Sequence, residues 1–147
     1  MADGNLRIED VVEETAHAWA EVHNRIIPAD PLSDADVLDR MGRNQLTLAY
    51  DGDVLVGNAT LRPPTGDPRV ATVIVRILPE HRGRGLGTEY FDAILERAAE
   101  LEPDRIETVV LAANADGLRF AENLGFEEHD RYVLDGDTAE WVDLHLA

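Results

Sequence analysis

Residues 70–78 read Val-Ala-Thr-Val-Ile-Val-Arg-Ile-Leu, a run rich in β-branched side chains that stops at Pro79. Just beyond that proline come three alternating glycines, Gly83, Gly85 and Gly87. An apolar stripe at helical spacing follows, marked by Leu86, Tyr90, Ile94, Leu95, Ala98 and Leu101. A strand of this apolar character needs partners in a sheet and a helix over its face, so the unit commits the chain to a mixed α/β fold. Glycines at the joint let the backbone turn with its N–H groups converging, and the helix start adds unpaired donors and the positive end of its dipole. The joint is therefore shaped to seat an anion such as a pyrophosphate. It is not the dinucleotide fingerprint G-x-G-x-x-G, because Thr88 stands where the third glycine would fall counting from Gly83, and Tyr90 does so counting from Gly85.

On either side of this unit the pattern continues as α/β. A short strand at 6–8 precedes a helix over 9–24 with Val11, Val12, Ala16, Trp19 and Val22 on one face. Pro28 and Pro31 break it, and Ser33 caps a second helix that runs through Val37, Leu38 and Met41 to Gly42. Strands at 45–50 and 54–61 flank the turn Asp51-Gly52-Asp53, and 63–68 is a turn-rich connection. The third helix ends before Pro103, a strand covers 106–111, and Asn114 caps a short helix carrying Leu118, Ala121 and Leu124 that Gly125 closes. Segments 132–134 and 141–146 form a last hairpin around Asp135-Gly136-Asp137. With 147 residues, 44% of them hydrophobic, and neither repeats nor a linker, the chain reads as a single domain over 1–147.

Charge narrows the function. Thirty Asp and Glu face 13 basic residues, a net charge of −17, and every basic residue is Arg. Without Lys there is neither a Walker-type phosphate loop nor a pyridoxal phosphate Schiff base. An acidic surface repels phosphate backbones, which excludes nucleic acid as a partner and favours cationic small molecules. Residues 69–88 depart from the rest: Arg69, Arg76, Arg82 and Arg84 against Glu80 alone give +3, while the remainder carries −20. A basic island on a glycine turn again indicates an anion site. Cysteine is absent, no metal-ligand spacing appears among the five His, and neither a leader nor an apolar stretch of membrane-spanning length is present, so a soluble cytoplasmic protein without metal is expected.

Pro79 ahead of Arg82-Gly83-Arg84-Gly85-Leu86-Gly87 resembles the phosphate loop of the GNAT N-acetyltransferase superfamily, whose pattern is Gln/Arg-x-x-Gly-x-Gly/Ala. Asn114 followed by Leu118, Phe120 and Leu124-Gly125-Phe126 resembles a second family motif, and the hairpin at 50–57 resembles its second and third strands. The resemblance covers residues 45–134. It implies an α/β (α+β mixed) fold, a splayed, mostly antiparallel mixed sheet flanked by about four helices, that binds acetyl-CoA. On that pattern the backbone of Ile77 pairs with the pantetheine arm, and Arg82, Gly83, Arg84, Gly85, Leu86, Gly87 and Thr88 hold the pyrophosphate, with added charge from Arg82 and Arg84. Asn114 caps its helix and faces the pantetheine, and Phe120 lines the cofactor channel or belongs to the core.

Catalysis is less legible. Many members place a Tyr four residues before the glycine of the Gly-Phe pair as general acid; Ala121 stands there, and residues 70–78 contain no Asp or Glu to act as base. Tyr132 and Glu80 are the remaining candidates. Tyr50, Tyr90, His81, His17 and His23 stand behind them, with Tyr90 on a buried helix face and the histidines read first as surface groups. The favoured function is acetyl-CoA-dependent transfer of an acetyl group to a primary amine of a small, cationic acceptor. The alternatives are a non-catalytic acyl-CoA-binding or sensing domain, or one half of a larger tandem or homodimeric acetyltransferase, since 16–37 loosely resembles tandem-domain actinobacterial members.

Overall fold

A computed structural model describes residues 6–28, 30–136 and 138–146. Asp137, in the expected last turn, lies outside them. The described chain runs β1 (Leu6–Asp10), α1 (Ala16–Ile26), α2 (Asp34–Met41), β2 (Gln45–Asp51), β3 (Val54–Thr65), β4 (Val70–Ile77), α3 (Leu86–Glu100), β5 (Arg105–Leu111), α4 (Ala115–Asn123), β6 (Phe126–Val133) and β7 (Glu140–Leu146). All seven strands lie in one sheet of order β1-β2-β3-β4-β5-β7-β6. Every pairing is antiparallel except β4 with β5, which α3 joins as a crossover. No described helix is long and apolar enough to cross a membrane.

Alternation along the strands supplies two apolar faces. One packs Ala59, Leu61, Val73 and Ile77 against Tyr90, Phe91 and Ile94 of α3 and Ala121 of α4. Tyr90 is buried there and shares a hydrogen bond of 2.6 Å with the Thr47 hydroxyl. Across the sheet, Trp19 and Ala20 of α1 and Val37 of α2 cover Leu46 and Leu48. Fully buried Trp19 donates its indole N–H to the Ala59 carbonyl at 3.3 Å, and the Asn58 amide donates back to the Trp19 carbonyl at 3.1 Å. Truncation of Trp19 to Ala costs about 3–5 kcal/mol on the usual core scale. Ser33 caps α2 as the sequence indicates, accepting from the Asp36 N–H at 3.1 Å while its own N–H donates to the Asp36 carboxylate at 2.9 Å.

Three boundaries differ from the sequence reading. Glu9 and Asp10 belong to β1, paired with Leu48 and Thr47, and the Val11 N–H continues the ladder to the Leu46 carbonyl, so the helix begins only at Ala16 after a 3-10 turn. β3 continues through Pro63 and Pro64, because a register shift between Arg62 and Thr65 lets two prolines without N–H donors pass beside β4. β6 spans eight residues rather than three, paired along β7 as an edge strand with almost all of its side chains exposed.

The decisive feature is where pairing stops. β4 and β5 pair only through Val70, Ala71 and Thr72 with Arg105, Ile106 and Glu107. Beyond that point β4 stays with β3 and β5 with β7, so the two parallel strands diverge and leave an opening in the middle of the sheet.

Candidate active site

The opening leads to the glycine turn. Pro79–His81 forms a 3-10 turn, and Gly83 and Gly85 take φ values of 83° and 79°, a region in which a side chain is strained. Gly85 is the N-cap of α3 and supplies no side-chain acceptor, so the N–H groups of Leu86, Gly87 and Thr88 at the helix start have no intrahelical partner. A cavity of about 340 Å³ sits against them. Ile77, Arg82, Gly83, Gly85, Leu86, Gly87, Thr88, Asn114 and Phe120 all line it. The cradle depends on the missing side chain of Gly87: a Cβ there would stand 3.3 Å from the Phe120 ring and 3.5 Å from Ile77 Cγ1. This pared-down wall suits a slender ligand threaded between α3 and α4.

Arg84 is the exception among the residues expected at the turn. Its guanidinium reaches outward to Asp51 at 3.0 Å and to His81 Nδ1 at 3.1 Å, and it does not line the cavity. Arg82 faces inward and donates from Nε to the Ile77 carbonyl at 2.9 Å. The Leu78 N–H bonds to Val56 of β3 at 2.8 Å, so by strand alternation the N–H and C=O of Ile77 point to the opposite edge, into the opening. With the carbonyl engaged by Arg82, the Ile77 N–H is left facing the gap. Asn114 caps α4, accepting from the Gly117 N–H at 2.9 Å, and borders the cavity at the same time. Phe120 combines both expected roles, wall and core, meeting Phe91 edge-to-face with centroids 6.0 Å apart.

A second cavity of about 200 Å³ adjoins the first, sharing Val75, Arg76, Arg82, Asn114 and Phe120, and extends between the diverging strands to Val109, Leu111, Ala121 and Trp141. Ala121 is 2% exposed and forms part of this wall.

Residues directly opposite one another in a ladder share a face. The registers Asn58↔Arg76, Thr72↔Glu107, Val109↔Asp143, Leu111↔Trp141 and Tyr132↔Trp141 therefore put Arg76, Glu107, Trp141, Asp143 and Tyr132 on the α1 side of the sheet. There the Tyr132 hydroxyl donates to Asp143 Oδ1 at 3.1 Å, and the Thr72 hydroxyl donates to Glu107 Oε1 at 2.8 Å. Burial pushes the Asp143 carboxyl above the ordinary range, helped by the charges of Glu107 and Asp130. The Tyr132 phenol is pushed up to about 12 by burial and by Asp143, so it remains a proton donor. Two donors on this face have no partner among the described residues: Arg76 Nη1 and Trp141 Nε1 are both buried without a hydrogen bond. Desolvation, then repulsion from Arg40 and Arg62, brings the Arg76 guanidinium down to about 10.

Of the residues proposed for catalysis from sequence, Tyr132 is on this face and Glu80 is not: its carboxylate pairs at the surface with Arg25 at 2.9 Å. His17 is exposed between Glu21 and Asp34. His23, read as a helix-surface group, is 3% exposed and stacks on Trp19 with centroids 5.9 Å apart. Arg76 emerged from the sequence only as part of the basic island, and Glu107 and Asp143 did not emerge as functional, although the alternation of Trp141, Asp143 and His145 with Val142 and Leu144 marks a polar face.

Residues 8–126 match the model of the acetyltransferase (GNAT) family. The chain belongs to the GNAT family. The family's cosubstrate is acetyl-CoA, and the splayed, mostly antiparallel mixed sheet found here is the one the resemblance implied. Solved structures of similar fold include yncA, a putative acetyltransferase from Salmonella typhimurium determined with its cofactor acetyl-CoA (TM-score 0.77, 16% identity, 97% of this chain and 94% of that one). Ard1 from Thermoplasma volcanium (0.82, 14%, 96% of each) and a putative phosphinothricin N-acetyltransferase (0.81, 18%, 96% and 97%) are similar too. Mycothiol acetyltransferase from Tsukamurella paurometabola is 38% identical over 71 residues, 48% of this GNAT chain, which thus spans about a quarter (24%) of that curated relative's length.

Proposed function

We propose that this chain is an acetyl-CoA-dependent N-acetyltransferase that acetylates a primary amine of a small molecule. The observation that carries the reading is the coincidence of an anion cradle with a gap in the sheet: the glycine turn opens directly onto the space between β4 and β5. In this reading the N–H groups of Leu86, Gly87 and Thr88 bind the pyrophosphate, and the Ile77 N–H pairs with the pantetheine arm. Phe120 and Asn114 flank that arm, and Arg82 holds the turn to β4 while adding charge.

The thioester supplies an activated acyl carbon. The acceptor nitrogen forms a bond to that carbon as the C–S bond breaks, and the amine proton must go to a base. We assign this to Asp143, which lines neither cavity itself but stands two residues along β7 from Trp141, a residue of the second cavity; Tyr132 donates to it and burial makes it more basic. Ala121 offers no acid, but a thiolate with a pKa of about 8.5 is a tolerable leaving group. Positioning then accounts for much of the acceleration.

Release of free thiol from acetyl-CoA, followed across amines, amino acids and peptides, tests the activity. Calorimetry with acetyl-CoA tests the turn: wild type should bind and Gly85→Glu should not. Binding without turnover for every acceptor would instead support an acyl-CoA-binding domain, the reading that Ala121 favours. The short span relative to the curated relative supports a third arrangement, in which a second domain or a second copy completes the enzyme; solution mass of the full protein separates it.

A further inference from the structure

Arg76, on β4, and Trp141, on β7 one strand beyond β5, both line the 200 Å³ cavity at the opening. Each presents a buried donor, Nη1 and Nε1, that meets no acceptor among the described residues. A buried guanidinium without a carboxylate is costly, and a native fold rarely leaves one without a reason. The charges around it do not compensate: Arg40 and Arg62 repel it, Asp30 alone attracts it, and no ion pair to Arg76 forms among the described residues. His23, on the buried side of α1, has its imidazole pushed below the usual range by burial and by Arg76 itself.

Two unpartnered donors on the walls of one cavity, one of them cationic, call for a small planar oxyanion, since guanidinium and indole N–H both donate and neither accepts. The cosubstrate's phosphates do not meet this need. The glycine turn already supplies their seat, and of the two donors Arg76 borders both cavities while Trp141 borders only the second, beyond the turn. Asp143 lines neither cavity but lies two residues from Trp141 on the same face, about 7 Å along β7, next to where a group of opposite sign on the same ligand would reach.

Resting on the acetyltransferase reading, we propose that the acceptor is a small amino acid whose carboxylate is held by Arg76 and the Trp141 indole while its amine faces Asp143. The net charge of −17 had suggested a cationic acceptor. A long-range field is screened within about 8 Å of an exposed charge, whereas desolvated donors act at contact, so the local pair decides which group sits beside the acetyl. A zwitterion carries no net charge for the far field to reject.

Matched triplets test this: an amino acid, its carboxamide and its decarboxylated amine, assayed by thiol release at saturating acetyl-CoA. Wild type should prefer the acid by about 10- to 100-fold in kcat/KM, the range set by one hydrogen-bonded charge. Arg76→Gln should abolish that preference, the acid and the carboxamide then reacting alike at saturating acetyl-CoA. Its melting temperature should hold or rise, since an unpaired charge is removed; a fall would mark Arg76 as structural. A readout independent of turnover is the Trp141 indole N–H resonance in the acetyl-CoA complex, assigned by its loss in Trp141→Phe. Amino acids should shift it and carboxamides should not. A shift without turnover would retain the carboxylate site while removing the enzyme reading. Equal turnover of acid and carboxamide, or no shift with any acid at concentrations approaching solubility, overturns the proposal.

Discussion

His17 and His23 sit on the same helix and are pushed in opposite directions. The hydrogen bond and charge of Asp34, with Glu21, raise exposed His17, where solvent screens the effect. Burial and Arg76 lower His23. The unfolded chain therefore takes up a proton at position 23 below about pH 6.5 while the folded chain resists it, and stability present above that value falls as the pH drops through it. Urea unfolding at about pH 7.5 and 5.5, either side of that value, should show the loss, and His23→Gln should shrink the difference between them. An identical slope in the variant would remove His23 as its source. At Asp143, replacement by Asn should lower kcat by about 100-fold or more, the scale of a lost general base. Because the Tyr132 hydrogen bond works against the burial that raises Asp143, Tyr132→Phe should move the acid limb of the kcat/KM profile to higher pH. Tyr132 was legible in the sequence as a stray hydroxyl; Asp143 was not, since a carboxylate gains its meaning only from the strand across from it.

At the scale of elements, the glycine turn was the most legible part of the molecule, because its geometry is local. Its residues force the backbone, and the backbone makes the site. Gly85→Ala should cost about 1–2 kcal/mol of stability, the penalty for a left-handed L residue, and weaken acetyl-CoA binding well beyond that by moving the first N–H groups of α3. Arg82 and Arg84 looked alike in sequence and differ in place. Arg82→Gln should raise the Kd for acetyl-CoA several-fold, whereas Arg84→Gln, whose partner is Asp51, should leave it near wild type. Titration calorimetry on the pair decides; equal losses would return both to the binding site. Elements defined by distant partners were harder to read. Glu9 and Asp10 join a strand because β2 offers a ladder, against their own helical context. β6 reads Phe-Glu-Glu-His-Asp-Arg-Tyr-Val, and an edge strand exposed along most of its length leaves no apolar alternation to find.

For the whole molecule, net charge and local chemistry act on different quantities. Thirty acids on one small domain repel each other, so added salt should raise the melting temperature through screening, and low salt should lower it. Thermal melts from low to molar sodium chloride check this, and a flat response would mean that the surface ion pairs already balance the repulsion. Two of those pairs flank the glycine turn on its outer side: Arg25 with Glu80 and Arg84 with Asp51. In both the cation is a guanidinium, since Arg is the only strongly basic side chain in the sequence. A guanidinium stays protonated across the working pH range and offers no lone pair to an electrophile. On the proposed reading, an activated thioester in the gap would meet no side-chain amine of its host, because the residue that spontaneous acylation consumes, lysine, is missing from all 147 positions. The protein can idle with a reactive acyl donor aboard and not mark itself.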